Sequence, residues 1–378
     1  MKPRHRQSGT VRYAVVGLGH IAQNAILPAF AHAGENSELA ALVSDDPAKL
    51  RALSEKYGVD NCFSYDDYEL CLRSGQIDAV YIALPNNLHA EYCIRAAEAG
   101  IHVLCEKPLA VTEAECRQII EACADNRVKL MTAYRLHFER GNLEAIEMVR
   151  SGKIGDPKIF NSVFTMQVAP GNIRTKGQYA GNTLYDIGIY CINAARYIFG
   201  DEPTEVFGFA AKSGDRRFRQ TEEMTAALMR FPQGRLAAIT ASFGAADSAD
   251  FEVIGTKGRL RVIQAYEYTM PVILEVSREG RTKKRTFGLR DQFAPELIYF
   301  ADCILRNREP EPSGIEGLID VHIIHSLYQS VKSGLPMPLK PLQSPRRPSL
   351  RQENRRPRVT RPKMIHVAAP TEWQPNRT

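Results

Sequence analysis

No paired cysteine spacing marks this 378-residue chain. Its eight cysteines are scattered, with no CxxC pair and no metal-ligand spacing, so no metal site is expected. Cys62, Cys71, Cys93 and Cys105 fall in apolar or helical surroundings and read as reduced, mostly buried thiols. Long apolar runs are lacking too: nothing approaches the ~20 residues needed to cross a bilayer. The charged start, Met1 to Gln7, leads into no apolar signal core. A cytoplasmic location without a membrane partner is the expectation. A basic body is also missing. The formal charge is +6, but residues 341–378 hold eight Arg and one Lys against two acids, a net of +7 that leaves the remainder at −1. A near-neutral body lacks the basic face of a nucleic-acid binder.

What is there is a chain of ordinary soluble composition, 44% hydrophobic and 24% charged, and longer than one core usually serves, so two domains and an appendage are expected. Near its start an apolar run, Tyr13-Ala14-Val15-Val16, leads into Gly17-Leu18-Gly19-His20-Ile21-Ala22. Gly17 permits a tight turn out of a strand, Gly19 lets backbone approach a pyrophosphate, and small Ala22 lets the next helix pack close. A second apolar strand, Leu39–Val43, follows at βαβ distance. Ser44 ends it where an NAD enzyme would place a carboxylate. With Lys49 one helical turn on, Ser44 favours the 2′-phosphate of NADP. Asp45 or Asp46 would instead bind the ribose if the strand ends later, and Ser44-Asp45-Asp46-Pro47 also reads as a helix cap.

Through residue 133 strand and helix patterns alternate, as in a doubly wound parallel sheet. Strands are expected at Asp78–Leu84 and Ile101–Cys105, helices over His89–Ala99 and from Thr112, where Glu115 completes a capping box. Pro28 should break or kink the first helix. After a helix around Asn142–Ser151 come Lys158–Val168, Glu205–Lys212, Thr225–Phe231, Arg235–Phe243, Asp250–Ile254, Gly258–Val262 and Val272–Val276, a largely antiparallel sheet. One helix interrupts them at Asp186–Phe199; another, Gln292–Arg306, covers the sheet or returns to the first domain. The fold class is thus an α/β Rossmann domain followed by an α+β domain on a large, mostly antiparallel sheet. The divisions are a flexible 1–10, a nucleotide-binding domain 11–133, a substrate domain 134–340, and a disordered Pro/Arg-rich tail 341–378. That tail reads as a solvated extension in preference to a tether.

Three points carry chemistry. Glu106-Lys107-Pro108 follows a parallel strand, so Lys107 stands at the carboxyl end where open α/β sheets bind ligands. Near a cationic nicotinamide and away from bulk water, its pKa would fall and suit proton transfer or donation to a hydroxyl; the alternative is a solvated amine. Leu84-Pro85-Asn86-Asn87-Leu88-His89 closes the preceding strand and offers amides and an imidazole to the same cleft, or else simply a turn and cap. Asp186 and Tyr190, four residues apart, share a helical face, as an acid/base phenol with its carboxylate or as an ordinary core tyrosine with a partner.

These blocks, in this order over about residues 11 to 340, resemble the glucose–fructose oxidoreductase, inositol dehydrogenase and rhizopine-catabolism (Gfo/Idh/MocA) family, with wording nearest the glucose–fructose oxidoreductase branch. The resemblance implies that Gly17, Gly19, His20, Ile21, Ser44, Lys49, Leu84, Pro85, Asn86, His89, Glu106, Lys107 and Arg135 hold NADP. It implies catalysis by Lys107, Tyr190 and Asp186, and sugar binding by Lys107, Arg174, Asp186 and Tyr190, with His137 and Tyr179 near the cleft. It further implies a cis Lys107-Pro108 peptide and a homodimer or homotetramer formed through the open face of the second sheet. Ala180-Gly181-Asn182-Thr183 departs from the glycine-rich stretch often found there, and the export signal of the branch's periplasmic namesake is missing. The expected activity is NADP-dependent oxidation of an aldose at its anomeric carbon to a lactone, with hydride passed to a second sugar or carbonyl. The alternatives are a simple polyol, inositol or dihydrodiol dehydrogenase, and a non-catalytic NADP-sensing regulator. Retention of both Lys107 and Tyr190 weighs against the regulator.

Overall fold

The computed structural model describes residues 9–179, 181–342, 346–360 and 362–371. Six strands form the first sheet: β1 (Val11–Val16), β2 (Ser37–Val43), β3 (Asn61–Phe63), β4 (Ala79–Ile82), β5 (His102–Glu106) and β6 (Leu130–Ala133). They are all parallel, in the order β3-β2-β1-β4-β5-β6. The order reverses direction beside β1, which places a crevice at the carboxyl ends of β1 and β4. All four residues of β4 are buried, as expected of a parallel sheet covered on both faces.

The helices are α1 (Leu27–Ala29), α2 (Pro47–Tyr57), α3 (Tyr68–Arg73), α4 (His89–Glu98), α5 (Glu113–Asp125), α6 (Arg140–Arg150), α7 (Ile189–Phe199), α8 (Ala294–Leu305) and α9 (Gly314–Ser333). A wide π turn, Ala22–Ile26, precedes Pro28 and a tight 3-10 turn, Phe30–His32, follows it. The helix thus changes its winding at the proline, which lacks an N–H. The capping box at Thr112 and Glu115 is present.

The second sheet has nine strands: β7 (Pro157–Gln167), β8 (Glu205–Ala211), β9 (Met224–Phe231), β10 (Arg235–Ser242), β11 (Gly244–Gly255), β12 (Arg259–Ile263), β13 (Ile273–Arg278), β14 (Arg281–Thr286) and β15 (Met337–Pro338). Their order is β14-β13-β12-β11-β7-β10-β9-β8-β15, antiparallel except for the β7–β10 pair. Strict alternation of buried and exposed residues along β9 shows one face packed and one open. Ile192, Ala195, Ile319, Ile323 and Leu327 from α7 and α9 join the core under the closed face.

The chain beyond β14 returns to the first sheet. Helix α8 packs on β1 and β2, with the Tyr13 hydroxyl donating to the Leu297 carbonyl at 3.0 Å. Helix α9 lies between α5 and β8 and so ties the two sheets together. Residues 134–340 are therefore continuous in sequence but divided in space. Residues 346–360 and 362–371 fall within the segment expected to be disordered, yet they run along the body through polar contacts: Arg347 to Glu202 at 2.6 Å, Glu353 to Arg140 at 2.5 Å and Arg356 to Glu35 at 2.8 Å. Such pairings leave no apolar period to read. Residues 1–8 and 372–378 lie outside the described residues.

Candidate active site

At the end of β1, the Gly17 N–H donates to the Val43 carbonyl at 3.0 Å, and Gly17 adopts φ +93°. A Cβ there would stand 2.6 Å from the Ala83 carbonyl oxygen, whereas a Cβ on Gly19 would meet nothing within 4 Å. The turn thus requires one glycine and leaves clear space above the other, the cradle a pyrophosphate needs. His20 and Ile21 form the first turn beyond it, with Ile21 packed on the core. Ser44 is buried, and its Oγ accepts from the Asp46 N–H at 3.3 Å. The two acids are committed elsewhere. Asp45 accepts from the Tyr65 N–H at 2.8 Å, and Asp46 caps α2 by accepting from the Ala48 and Lys49 N–H groups, each at 3.0 Å. That leaves Ser44 and Lys49 as the polar groups for a 2′-phosphate, and the residues present fit NADP.

On the other side of the crevice, Leu84 is buried and Pro85 leads into a 3-10 turn, Asn86–Leu88. His89, expected to contact cofactor, is fully buried. Its Nδ1 lies 2.8 Å from the Pro108 carbonyl and its Nε2 2.9 Å from the Leu84 carbonyl. The imidazole is enclosed between the β4 loop and the Lys107-Pro108 loop, each ring nitrogen against a protein carbonyl, and its neutral form donates to one of the two. Burial holds its pKa below the usual histidine value.

Lys107 follows β5 through a cis peptide to Pro108, as the resemblance implied. Its Nζ donates to the Asp186 carbonyl at 2.6 Å, lies 3.3 Å from Asp186 Oδ1, and stands 4.9 Å from the centre of the Tyr190 ring. The other Asp186 oxygen pairs with Arg174. Asp186 sits in a π turn, Leu184–Gly188, and Tyr190 in the α-helix that continues it, yet both converge on Lys107. Arg135 lies 5.0 Å from the centre of the Tyr190 ring and 5.2 Å from that of Tyr268, and donates to Gln292 and to the Tyr266 carbonyl. It is a buried hub that braces Tyr190 from behind. Tyr179 lies half-buried in the adjoining 3-10 turn, Gly177–Tyr179.

The electrostatics correct one expectation. Burial alone would lower the Lys107 pKa, but Tyr190, Asp186 and Glu106 outweigh it and raise the pKa. Lys107 thus meets Asp186 as a cation and hydrogen-bond donor. Burial likewise opposes ionisation of Asp186, yet Arg174 first and then Lys107 press its pKa down to about 2. Behind Lys107, Glu106 accepts from the Tyr81 hydroxyl at 2.9 Å, and burial raises its pKa. Glu296 is fully buried nearby, and burial pushes its carboxyl well up. Sequence patterns carried no signal for Tyr81 or Glu296, because each lies inside an apolar element.

His137, expected near the cleft, sits in a second charge cluster between the sheets. There it lies 3.4 Å from Glu311, its ring stacked on Tyr134. At the centre of this cluster, fully buried Arg196 pairs with Glu202 at 2.5 Å, Asp320 at 2.7 Å and Glu316 at 2.9 Å. The Tyr134 hydroxyl donates to Asp320 at 2.6 Å. Among the described residues no helix is long and apolar enough to cross a membrane.

Known proteins match both halves of this architecture. Residues 11–134 match the oxidoreductase family with an NAD-binding Rossmann fold, and residues 142–261 match the GFO/IDH/MocA C-terminal domain. The D-xylose 1-dehydrogenase [NADP(+)] of Haloarcula marismortui is 32% identical over 327 residues, covering 85% of this chain and 91% of its own. The D-xylose 1-dehydrogenase (NADP(+)) 2 of Haloferax volcanii is 30% identical, over 85% of this chain and 98% of its own. Among solved structures, the aldose-aldose oxidoreductase of Caulobacter crescentus, complexed with glycerol, superposes with a TM-score of 0.83 at 34% identity, over 87% of this chain and all of that one. The 3-ketoreductase KijD10 of Actinomadura kijaniata, with NADP and TDP-benzene, gives 0.78 at 26% identity, over 85% of this chain and 98% of that one. With a glycine cradle at β1, a lysine at the end of β5 and matches across both halves, the chain belongs to the GFO/IDH/MocA family of oxidoreductases.

Proposed function

We propose that this NADP-dependent sugar oxidoreductase oxidises an aldose at the anomeric carbon to a lactone and retains its cofactor between half-reactions, passing hydride to a second sugar or carbonyl. The observation that carries the reading is the meeting of Lys107, Asp186 and Tyr190 at the carboxyl end of β5, on the crevice that the glycine turn opens. NADP, when bound, supplies the hydride acceptor. Tyr190 takes the proton of the anomeric hydroxyl, with the Lys107 and Arg135 cations 4.9 Å and 5.0 Å from the centre of its ring. Asp186, held ionised by Arg174 and Lys107, accepts a hydrogen bond from a sugar hydroxyl and fixes the ring. Buried His89 packs between the lysine loop and the β4 loop and donates to one of their carbonyls, which helps hold the proton-handling groups in register.

The names of the two xylose dehydrogenases favour a second reading, a dehydrogenase that exchanges free NADP at each turnover. Protein purified without added nucleotide separates the two. A resident cofactor gives nicotinamide absorbance that rises on mixing with an aldose and falls on adding a second sugar. Protein that arrives empty, and turns over only with NADP in excess, supports the dehydrogenase.

Assembly belongs to the same reading. Ile159, Val163, Phe209, Leu228 and Leu236 lie exposed on β7 to β10, with Ile159 directly opposite Leu236. A second copy of the chain is the partner such an open apolar sheet face fits. Sedimentation of the wild type and of Leu228→Lys, which should be smaller, tests it.

A further inference from the structure

Residues 362–371 run from the glycine turn of the first domain to the end of β7 in the second. At one end the backbone of Ile365 is held twice by a single side chain: its N–H donates to Gln23 Oε1 at 2.8 Å, and its carbonyl accepts from Gln23 Nε2 at 3.0 Å. Gln23 is itself anchored in the glycine turn, where its N–H bonds to the Gly19 carbonyl and its Nε2 to the Leu18 carbonyl. The Ile365 side chain packs on the core beneath β1. At the other end the Pro370 carbonyl accepts from the Ala169 N–H at 3.0 Å, and Thr371 bridges Val168. Four residues lie between Ile365 and Pro370, a span of at most about 18 Å of extended chain. The segment therefore reaches from the glycine turn to the loop that carries Arg174.

His366 is the residue this crossing presents to the site. Its backbone adopts φ +50°, a left-handed turn that histidine tolerates better than most residues. The turn brings the ring to Asp46, with Nδ1 3.1 Å from Oδ2, the oxygen that also faces Lys49 at 3.9 Å. An ionised Asp46 only accepts hydrogen bonds, so Nδ1 donates to it and Nε2 is directed elsewhere. His366 and Lys49 thus flank one carboxylate beside Ser44, at the end of β2, where the adenosine ribose of a dinucleotide lies. A lone Asp46 would repel a 2′-phosphate; here its Oδ2 faces Lys49 and the His366 ring, and only with both ring nitrogens protonated does His366 donate Nδ1–H to Asp46 and Nε2–H to the phosphate.

We propose that residues 362–371 form a strap over the adenosine half of the NADP site, and that His366 is a ligand of the 2′-phosphate together with Ser44 and Lys49. The strap slows cofactor escape, and the histidine gives it a preference for NADP over NAD. The inference rests on NADP as the cofactor. It does not require the cofactor to stay bound for a whole catalytic cycle.

The test uses the full chain, stripped of nucleotide, beside a chain ending at Arg361, His366→Ala, and His366→Asn, which keeps a residue tolerant of the left-handed backbone. Calorimetry gives the NADP and NAD dissociation constants, and displacement fluorescence the NADPH release rate. Truncation should weaken NADP and speed NADPH release by about tenfold or more, the scale of one lost charge-assisted phosphate contact. Both His366 variants should lower the NADP-to-NAD affinity ratio by about tenfold while leaving NAD binding unchanged. Unaltered constants in all three variants, or tighter NADP binding after truncation, would overturn the proposal. A wild type that releases NADP at every turnover would sink the resident-cofactor reading and leave this affinity ratio intact.

Discussion

Two clusters of buried charge lie in this molecule, built from similar parts and put to opposite use. At the cleft, Lys107 and Arg174 hold Asp186; between the sheets, Arg196 holds Glu202, Glu316 and Asp320. Both consist of basic side chains a hydrogen bond away from carboxylates. The difference is access. The side chains of Lys107, Asp186 and Arg174 are 12%, 16% and 25% exposed, whereas Arg196, Glu316 and Asp320 are wholly enclosed. The signs also differ. Two cations, Lys107 and Arg174, keep Asp186 ionised at the cleft, while in the interior Arg196 pairs with Glu316 and Asp320 and shares Glu202 with Arg347, and Asp320 stays above the usual carboxylate range, chiefly through burial. Buried charge alone does not identify a reacting centre. A cleft-facing, cation-rich cluster beside a nucleotide turn does.

The comparison breaks most sharply by removing one member of each. Tyr190→Phe and Lys107→Met should each lower turnover by about a hundred- to ten-thousandfold, with midpoints of chemical denaturation near wild type. Loss of folding at either position would make the cleft cluster a structural one. Arg196→Met should do the reverse. It takes the arginine from buried Glu316 and Asp320, with Glu202 keeping Arg347, and should cost about 3–5 kcal/mol of stability, read from urea unfolding. An Arg196→Met protein as stable as the wild type would show that the interior cluster holds nothing together.

Acid sharpens the contrast further. The Asp186 pKa is depressed to about 2, so its stabilisation is complete above the ordinary carboxylate value and lost as pH falls from about 4 towards 2, roughly 2 kcal/mol in all. Asp320 is shifted the other way, so ionising it in the fold is costly, and its contribution declines as pH rises through its raised pKa. Urea midpoints measured from pH 3 to 6 should therefore change slope in opposite directions in Asp186→Asn and Asp320→Asn. Parallel changes would mean the two carboxylates share one environment.

Where sequence periodicity and spacing carried the information, the fold was legible. The parallel first sheet, the strands β7 to β13 and the helix Ile189–Phe199 all follow from alternating or helical apolar patterns, whereas the strand order itself came from the fold. Lys107, Asp186 and Tyr190 were legible because short motifs place them at element ends. Strand β14 was not: all six of its residues are exposed, and it joins the sheet through backbone pairing with β13. The interior cluster was equally hidden, since Arg196 meets Glu316 and Asp320 only after more than a hundred intervening residues. Residues 362–371 are held by Gln23 through backbone atoms, which no side-chain pattern records. The charge state of Lys107 also needed the fold, because Tyr190 and Asp186, far along the chain, help decide it.

The central claim, that the cleft cluster presents the anomeric carbon for hydride loss to NADP, is tested most directly by isotope labelling. Reduction of the nicotinamide would be followed by absorbance after mixing enzyme with an aldose deuterated at C1, and separately with one deuterated at C2. Slower reduction with the C1 label and an unchanged rate with the C2 label is the predicted result. An isotope effect confined to C2, or to another ring carbon, would contradict it and place the oxidised hydroxyl elsewhere on the sugar.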